Sequence, residues 1–315
     1  MKYYFAPMEG ITGRIYRNTF HEFFDKDNYI DKYFAPFIVY HEKCSLSDKD
    51  IKDVHPDNNK HIKLIPQVLT NKAHEYLELE KFLFDLGYDE ININIGCPSK
   101  TVFSKKRGSG LLLYPDMLDE MLYGIFEKNK CRVSVKTRLG VSDPEEFYNI
   151  LEIYNKYDIS ELIIHGRVQT QFYNGDVDMN MFYHAAANTK IPVCYNGNLF
   201  LPDDFSRIAS YTDKYDNYAD IECVMAGRGL IRRPSLIREI NGGSKYTNDE
   251  LMQFLSALRQ EYQSEFSGEV PVLFKMKEIW SYMKDDFSEY PRELKKLFKA
   301  KSLAEYVSIE RSILH

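Results

Sequence analysis

The chain has 315 residues, of which 44% are hydrophobic and 28% are charged, and its formal net charge is −6. This composition is ordinary for a globular protein and excludes intrinsic disorder, collagen-like repeats and small disulfide-stapled folds. No apolar run approaches the ~18 residues that a membrane span needs, and a net negative charge does not favour a nucleic-acid partner.

Eight short β-rich runs alternate with helical patterns in the first 226 residues. This alternation predicts parallel βαβ units, because a parallel connection needs a crossover of about a dozen residues. Eight units in roughly 235 residues favour a (β/α)8 barrel, and a doubly wound open sheet is the alternative that periodicity leaves open. The predicted strands are Tyr3–Ala6, Phe34–Tyr40, Lys63–Leu69, Glu90–Ile95, Arg132–Lys136, Glu161–His165, Pro192–Tyr195 and Glu222–Ala226, and the predicted helices include Ala73–Leu86, Asp116–Lys128, Glu145–Tyr157 and Asp203–Ser210.

The pattern changes after Gly227. Residues 241–248 read NGGSKYTN, which is typical of a linker, and residues 249–315 show helical periodicity only. We therefore predict an α/β protein, a TIM barrel over residues 1–240 followed by a small all-α helical domain over residues 249–315.

Polar and glycine-rich groups follow seven of the eight predicted strands, whereas the strand bodies mostly lack strict polar alternation. Functional groups of such barrels come from the carboxyl ends of the strands, so these positions form the candidate site. The groups are Pro7-Met8-Glu9-Gly10, Gln67, Asn94-Ile95-Gly96-Cys97-Pro98, Lys136-Thr137-Arg138, His165-Gly166-Arg167, Asn196-Gly197-Asn198 and Gly227-Arg228-Gly229.

Two of these groups predict a phosphate site. Asn196-Gly197-Asn198 and Gly227-Arg228-Gly229 follow the seventh and eighth strands, where barrels of this kind bind phosphate. Either group alone would more often be a tight turn. Together they favour a phosphate-bearing cofactor, with Arg228 as a charged donor.

Lys136, His165 and Gln67 point to a flavin when they are considered together. Separately, Lys136 could form a salt bridge at the barrel end, and His165 could be a hydrogen-bonded core residue. A cation near the N1 edge of a flavin stabilises the negative charge of the reduced ring. Gln67 could bond the pyrimidine edge of the ring through its amide.

Cys97 differs from Cys44, Cys131, Cys194 and Cys223, which we interpret as small hydrophobic residues. It lies between Gly96 and Pro98 at the predicted rim, and no histidine neighbours it in sequence. A thiol with a reference pKa of about 8.5 is mostly protonated at neutral pH and could donate a proton. The odd number of cysteines and the absence of a CxxC pair favour a reducing, cytoplasmic location.

These motifs resemble those of the bacterial tRNA-dihydrouridine synthases. The resemblance rests on APMEGIT with Arg14 and Arg17, NINIGCPSKTVFSKKRGSGLLL, VSVKTRLG, HGRVQTQFYNG, IPVCYNGN and VMAGRGLIRRPSL. It implies an FMN-bound TIM barrel, a helical tRNA-binding domain and NADPH-driven reduction of the C5–C6 double bond of a uridine in tRNA. Hydride would pass from flavin N5 to C6, and Cys97 would protonate C5.

The resemblance also implies roles for the strand-end residues. Asn94 is expected to contact the target uracil, and Tyr173 to contact the base after its extrusion from the tRNA. The family commonly has Asp or Glu where Asn198 stands. The expected FMN contacts are Pro7, Met8, Glu9, Gln67, Lys136, His165, Asn196, Gly197, Asn198, Gly227 and Arg228.

The charge is unevenly distributed: residues 1–225 carry −8 and residues 226–315 carry +2. A local basic surface can bind phosphates although the whole chain is acidic, because salt screens charges beyond about 10 Å. Most charge runs are simply solvated helix faces. We expect a monomer without membrane contact whose further tRNA-binding residues are Lys105, Lys106, Arg138, Arg167, Arg232, Arg233, Lys295, Lys296 and Lys299.

Two other functions stay open at this point. The chain could be an FMN-dependent dehydrogenase or reductase of a free pyrimidine, although the basic helical tail would then have no role. It could also be a non-catalytic tRNA-binding protein, although Cys97, Lys136 and His165 argue against that.

Overall fold

Nine parallel strand segments form one sheet in the computed structural model, which describes residues 1–42, 46–211 and 221–315 and, at 209–211, the backbone only. Cys44 lies outside the described residues. The third barrel strand is split at Pro66, which has no N–H for the ladder. The half before Pro66 pairs with the second barrel strand, and the half after it pairs with the fourth. The sheet thereby closes into an eight-stranded barrel. The segments are β1 (Lys2–Phe5), β2 (Ile30–Phe34), β3 (Leu64–Ile65), β4 (Gln67–Val68), β5 (Glu90–Ile95), β6 (Arg132–Arg138), β7 (Glu161–His165), β8 (Val193–Asn196) and β9 (Cys223–Ala226).

The TIM-barrel prediction is confirmed, but the predicted second strand is misplaced. That strand ends at Phe34, and the predicted region beyond it is a loop that touches the sheet through a bridge between Ile38 and Val68. Pro36 has no N–H and cannot continue the strand. The strand starts at Ile30 and was not recognised there, because the charged residues Asp31 and Lys32 interrupt its apolar pattern. The helices around the barrel are α1 (Arg14–Phe24), α2 (Asp48–Val54), α3 (Ala73–Asp85), α4 (Lys100–Phe103), α5 (Pro115–Phe126), α6 (Glu146–Tyr154), α7 (Met179–Ala187), α8 (Pro202–Tyr211), α9 (Arg228–Arg232) and α10 (Leu236–Ile240).

The strands alternate more regularly than the sequence suggested. On β5, the three isoleucines pack toward the helices, whereas Asn92 and Asn94 point into the barrel. On the neighbouring β6, Ser134 accepts a hydrogen bond from Asn92 inside the barrel, and Lys136 lines the cavity above it. The interior is therefore polar in its upper half, which is where a polar ligand would bind.

Four more helices follow the barrel: α11 (Asn248–Glu265), α12 (Glu269–Met283), α13 (Pro291–Lys299) and α14 (Leu303–Leu314). Phe254 of α11 inserts between aromatic rings of α1, 5.0 Å from Phe24 and 5.9 Å from Tyr16, so these helices share one apolar core with the barrel. The last predicted helical run is two helices, because Ser302 caps the N-terminus of α14. The domain division at residues 241–248 stays a prediction.

No helix within the described ranges is long and apolar enough to cross a membrane. In that same part of the chain, no group of three or more His, Cys, Asp or Glu side chains is placed to hold a metal ion.

Candidate active site

A cavity of about 350 Å³ opens at the carboxyl ends of the barrel strands. Residues at or after the ends of all eight barrel strands line it: the seven predicted strand-end groups and, after β2, Pro36 and Phe37. All the predicted cofactor residues except Asn198 line it, together with Asn94, Cys97, Arg138 and Tyr173.

The loop that carries Cys97 is held by hydrogen bonds on both sides. The Oδ1 atom of Asn94 accepts from the backbone N–H groups of Gly96 (3.1 Å) and Cys97 (2.9 Å). The Cys97 carbonyl accepts from the Ser109 hydroxyl (2.8 Å). Gly108 has φ +56°, and a Cβ there would lie 2.9 Å from the Cys97 carbonyl oxygen, so this position requires glycine. These contacts fix the position of the thiol.

Asn94 is also the end of a chain of hydrogen-bonded side chains on the inner face of three adjacent strands, β4, β5 and β6. Its Nδ2 donates to Gln67 Oε1 (2.8 Å), and Gln67 Nε2 donates to Asn92 Oδ1 (2.7 Å). Asn92 Nδ2 in turn donates to Ser134 Oγ (3.0 Å). The amide orientation of Gln67 is therefore set by the protein, which leaves one N–H and one lone pair for a ligand.

Three cations line the cavity, and within the described part of the chain none of them forms an ion pair with a carboxylate. The Lys136 ammonium also has no hydrogen-bond partner there. Burial, with the Arg138 charge adding to it, lowers the pKa of Lys136 to about 8. Burial likewise lowers the pKa of Arg138 to about 10. In the described ranges, the hydrogen bond of the Arg228 guanidinium goes to the Asn198 amide oxygen, at 3.3 Å. The cavity is therefore positive and suited to an anionic ligand.

His165 is neutral at physiological pH. Burial, together with the nearby cations Arg138 and Lys136, holds its pKa well below the usual value. A guanidinium can only donate, so the 3.1 Å contact between Arg167 Nη1 and His165 Nε2 makes Nε2 an acceptor. The ring proton is therefore on Nδ1.

Arg167 is placed behind the cavity wall instead of in it. Its side chain is buried and donates to the carbonyls of Asn174 and Gly175 and to Asn198 Oδ1 (3.0 Å). A side chain with these partners orients the wall, and its predicted contact with tRNA would need it to leave them. Asn198 joins Arg167 to Arg228 through one amide oxygen.

The glycines of the predicted phosphate site have steric reasons within the protein itself. A Cβ on Gly229 would lie 1.7 Å from the Leu199 carbonyl oxygen, and one on Gly197 would lie 2.2 Å from the Tyr195 hydroxyl. Gly227 packs against Met8, and a Cβ on Gly227 would lie 3.2 Å from the Met8 Sδ atom. The close backbone packing brings these turns to the cavity, and phosphate binding there stays a prediction.

Aromatic rings surround the mouth of the cavity. The Arg228 guanidinium lies 4.5 Å from the Tyr173 ring centroid and 5.3 Å from that of Phe200. Sequence analysis missed Phe200 and Phe172, although each lies close to a predicted strand-end group. It also missed Tyr282, for which no local signal existed, because α12 is remote from every strand end in sequence.

The predicted tRNA-binding cations divide into paired and unpaired sets. Arg232 pairs with Asp286, and Arg233 pairs with Glu239. Lys106 is exposed beside Lys105 and lies 4.3 Å from the Tyr114 ring centroid. By contrast, three exposed side chains of α13 have no ion-pair partner in the ranges that the structure covers: Lys295, Lys296 and Lys299.

Comparison with known proteins gives a family and a fold. A model of the dihydrouridine synthase family matches residues 4–313. A Vibrio cholerae protein named tRNA-dihydrouridine synthase B is 30% identical over 164 residues, which span 52% of this chain and 49% of that protein. A Staphylococcus aureus protein named "Probable tRNA-dihydrouridine synthase" is 26% identical over 81% of both chains. Among solved structures, a variant of NCR from Zymomonas mobilis matches with a TM-score of 0.50 at 14% identity. The match covers 78% of this chain and 88% of that one, and it shows a similarity of fold alone.

Proposed function

This chain belongs to the dihydrouridine synthase family, and from that membership we propose that it reduces the C5–C6 double bond of a uridine in tRNA. FMN in the barrel cavity and NADPH as electron donor are parts of the proposal, as are a monomeric state and a cytoplasmic location. The observation that carries it is the Cys97 thiol held beside cations that have no carboxylate partner in the described ranges.

The residues of the cavity fit FMN. The Lys136 side chain is half-buried on the cavity wall, and an anionic ligand beside its ammonium would be held by that charge. When bound, FMN would supply the hydride that C6 of the uracil receives. Lys136 would lie at the pyrimidine edge of the ring, Arg228 would bind the phosphate, and His165 would donate from Nδ1.

Cys97 is the proposed proton donor to C5. Burial raises the pKa of its thiol, so the group keeps its proton at neutral pH until a strong base forms beside it. After transfer, the Lys136 and Arg138 charges would stabilise the thiolate. Asn94 holds the loop in place through the backbone N–H of Cys97 (2.9 Å). Hydride to C6 and proton to C5 together balance the reduction.

The uridine must leave the folded tRNA to reach this cavity, because the thiol lies in a loop inside the barrel mouth. The unpaired lysines of α13, with Lys105 and Lys106 beside the Cys97 loop, are the proposed phosphate contacts. Their local charge is compatible with the acidic barrel, since screening limits the reach of the distant carboxylates.

The test begins with the absorption spectrum of the purified protein, where flavin bands are expected. Anaerobic incubation with NADPH and tRNA from cells that lack the gene should then form dihydrouridine, measured by mass spectrometry of the digested tRNA. Free uracil in a parallel reaction should stay unreduced. A colourless protein that FMN does not reconstitute, or uracil turnover without tRNA, would overturn the proposal.

A further inference from the structure

One wall of the cavity mouth comes from outside the barrel. Tyr282 of α12 is half-buried and lines the cavity, whereas every other lining residue precedes residue 230 and belongs to the barrel. A helix that follows the barrel therefore contributes a side chain to the site that the strand ends form.

Two sets of contacts hold α12 against the barrel mouth. Lys275 donates to the carbonyl of Gly10 in the loop after β1. Just beyond the C-terminus of α12, Arg232 of α9 forms ion pairs with two carboxylates. One is that of Asp286, and the other is that of Asp285, at 3.8 Å. These contacts lie on either side of Tyr282 along the chain. Arg232, which the sequence assigned to tRNA, thus holds the element that carries this tyrosine.

The neighbours of Tyr282 have the chemistry that stacks nucleobases. The mouth also contains Tyr173, which is 49% exposed, and Phe200, and the Arg228 guanidinium lies near both of their rings. Aromatic and guanidinium faces bind unstacked RNA bases in most single-strand recognition sites. Burial raises the pKa of Tyr282, so its ring carries no charge that would repel a phosphate.

We propose that Tyr282 is a substrate-contacting residue whose ring stacks on the extruded uridine at the mouth of the cavity. The inference rests on the proposed function. The pocket for the nucleotide is then complete only when α12 is docked, so the helices after the barrel place the base as well as bind the tRNA backbone.

The test compares Tyr282→Ala with Tyr282→Phe in the full-length, flavin-loaded enzyme, with Phe274→Ala as the matched control. Phe274 is an aromatic residue of the same helix that is 67% exposed and does not line the cavity. The readout is single-turnover dihydrouridine formation at saturating tRNA. Loss of one stacking contact should slow Tyr282→Ala by about tenfold or more, with Tyr282→Phe and Phe274→Ala within about twofold of wild type.

Three further measurements separate stacking from a structural role. The flavin content, the thermal midpoint and the oxidation of NADPH by oxygen without tRNA should be unchanged in Tyr282→Ala. Should that variant misfold, Tyr282→Leu keeps most of the volume without the aromatic face and should show the same slowing.

The outcomes are distinct. Full activity of Tyr282→Ala or Tyr282→Leu, equal slowing in Tyr282→Phe, or equal slowing in Phe274→Ala would each overturn the stacking role while the proposed function stands. A flavin-containing wild-type enzyme that forms no dihydrouridine would refute the proposed function, and this inference with it.

Discussion

Two lysines face the interior of the same barrel, and their surroundings differ completely. Near the amino ends of the strands, Lys32 Nζ bonds Glu90 (2.9 Å) and Glu161 (3.1 Å). Burial alone would lower the pKa of Lys32, but these carboxylates raise it above the usual value. Near the carboxyl ends, Lys136 has no such partner among the described residues, and burial lowers its pKa to about 8.

The comparison separates stability from function within one fold. A buried charge with partners is satisfied by the protein, and Lys32 lies at the end of the barrel opposite the candidate site. A half-buried charge on a cavity wall that lacks a carboxylate partner among the described residues is available to a ligand. The floor and the mouth of the barrel should therefore respond differently to substitution.

The largest effect is expected at the mouth, from Cys97→Ala. Removal of the proton donor should lower the rate of dihydrouridine formation by about 100-fold to 10,000-fold, because general acid catalysis contributes that much. Bound flavin and tRNA affinity should be retained. The matched control is Cys131→Ala, a buried thiol that does not line the cavity. Equal activity of the two variants would show that Cys97 is not the acid.

The next effect should appear at the floor. Lys32→Met leaves the buried Glu161 without its cation and Glu90 with Arg132 at 3.5 Å, which should destabilise the protein by about 3–5 kcal/mol in denaturant unfolding. The matching change at the mouth, Lys136→Met, removes a charge that has no partner and should cost no stability while weakening FMN binding. If both variants lost the same stability, the contrast between the two lysines would be refuted.

A pH series should distinguish binding from stability at Lys136. Between pH 7 and 9 the group loses its charge around its folded-state pKa of about 8, so FMN affinity should fall by about tenfold. The ligand-free protein should respond in the opposite direction. Its unfolded state holds the proton up to about pH 10.4, so this group adds stability as the pH rises from 8.

Fluorescence titration of FMN and denaturant unfolding across this pH range are the measurements. Lys136→Met should remove both dependences. A wild-type affinity that stays constant to pH 9 would mean that the Lys136 charge does not contribute to binding.

The smallest effect concerns the exposed cations of α13, each of which contributes little because of screening. Replacing Lys295, Lys296 and Lys299 with alanine should reduce the slope of log tRNA affinity against log salt concentration by about two in magnitude. Flavin content should not change. Alanine at three exposed lysines of the barrel, Lys26, Lys81 and Lys128, is the control and should leave the slope intact. Equal slopes for both triple variants would place the tRNA elsewhere.

Much of the fold was accessible from the sequence because its signals are local. The β5 and β7 strands lie where the apolar runs predicted them, at Glu90–Ile95 and Glu161–His165. The second strand was misplaced because Asp31 and Lys32 interrupt its apolar pattern, and Lys32 is satisfied only by carboxylates from distant strands. An isolated segment does not reveal such a partner.

The sequence by itself determined which side chains stand at the carboxyl ends of the strands, because strand order and the period of two place them there. It thereby predicted most of the polar residues that line the cavity, but not the aromatic residues Phe172, Phe200 and Tyr282. Only the tertiary structure decided which cations stay without a carboxylate. Arg232 and Asp286 are 54 residues apart and form an ion pair, whereas Arg228, four residues earlier, has none among the described residues. The tertiary structure also brought Tyr282 to the mouth, since packing of α12 against the barrel joins segments that have no relation along the chain.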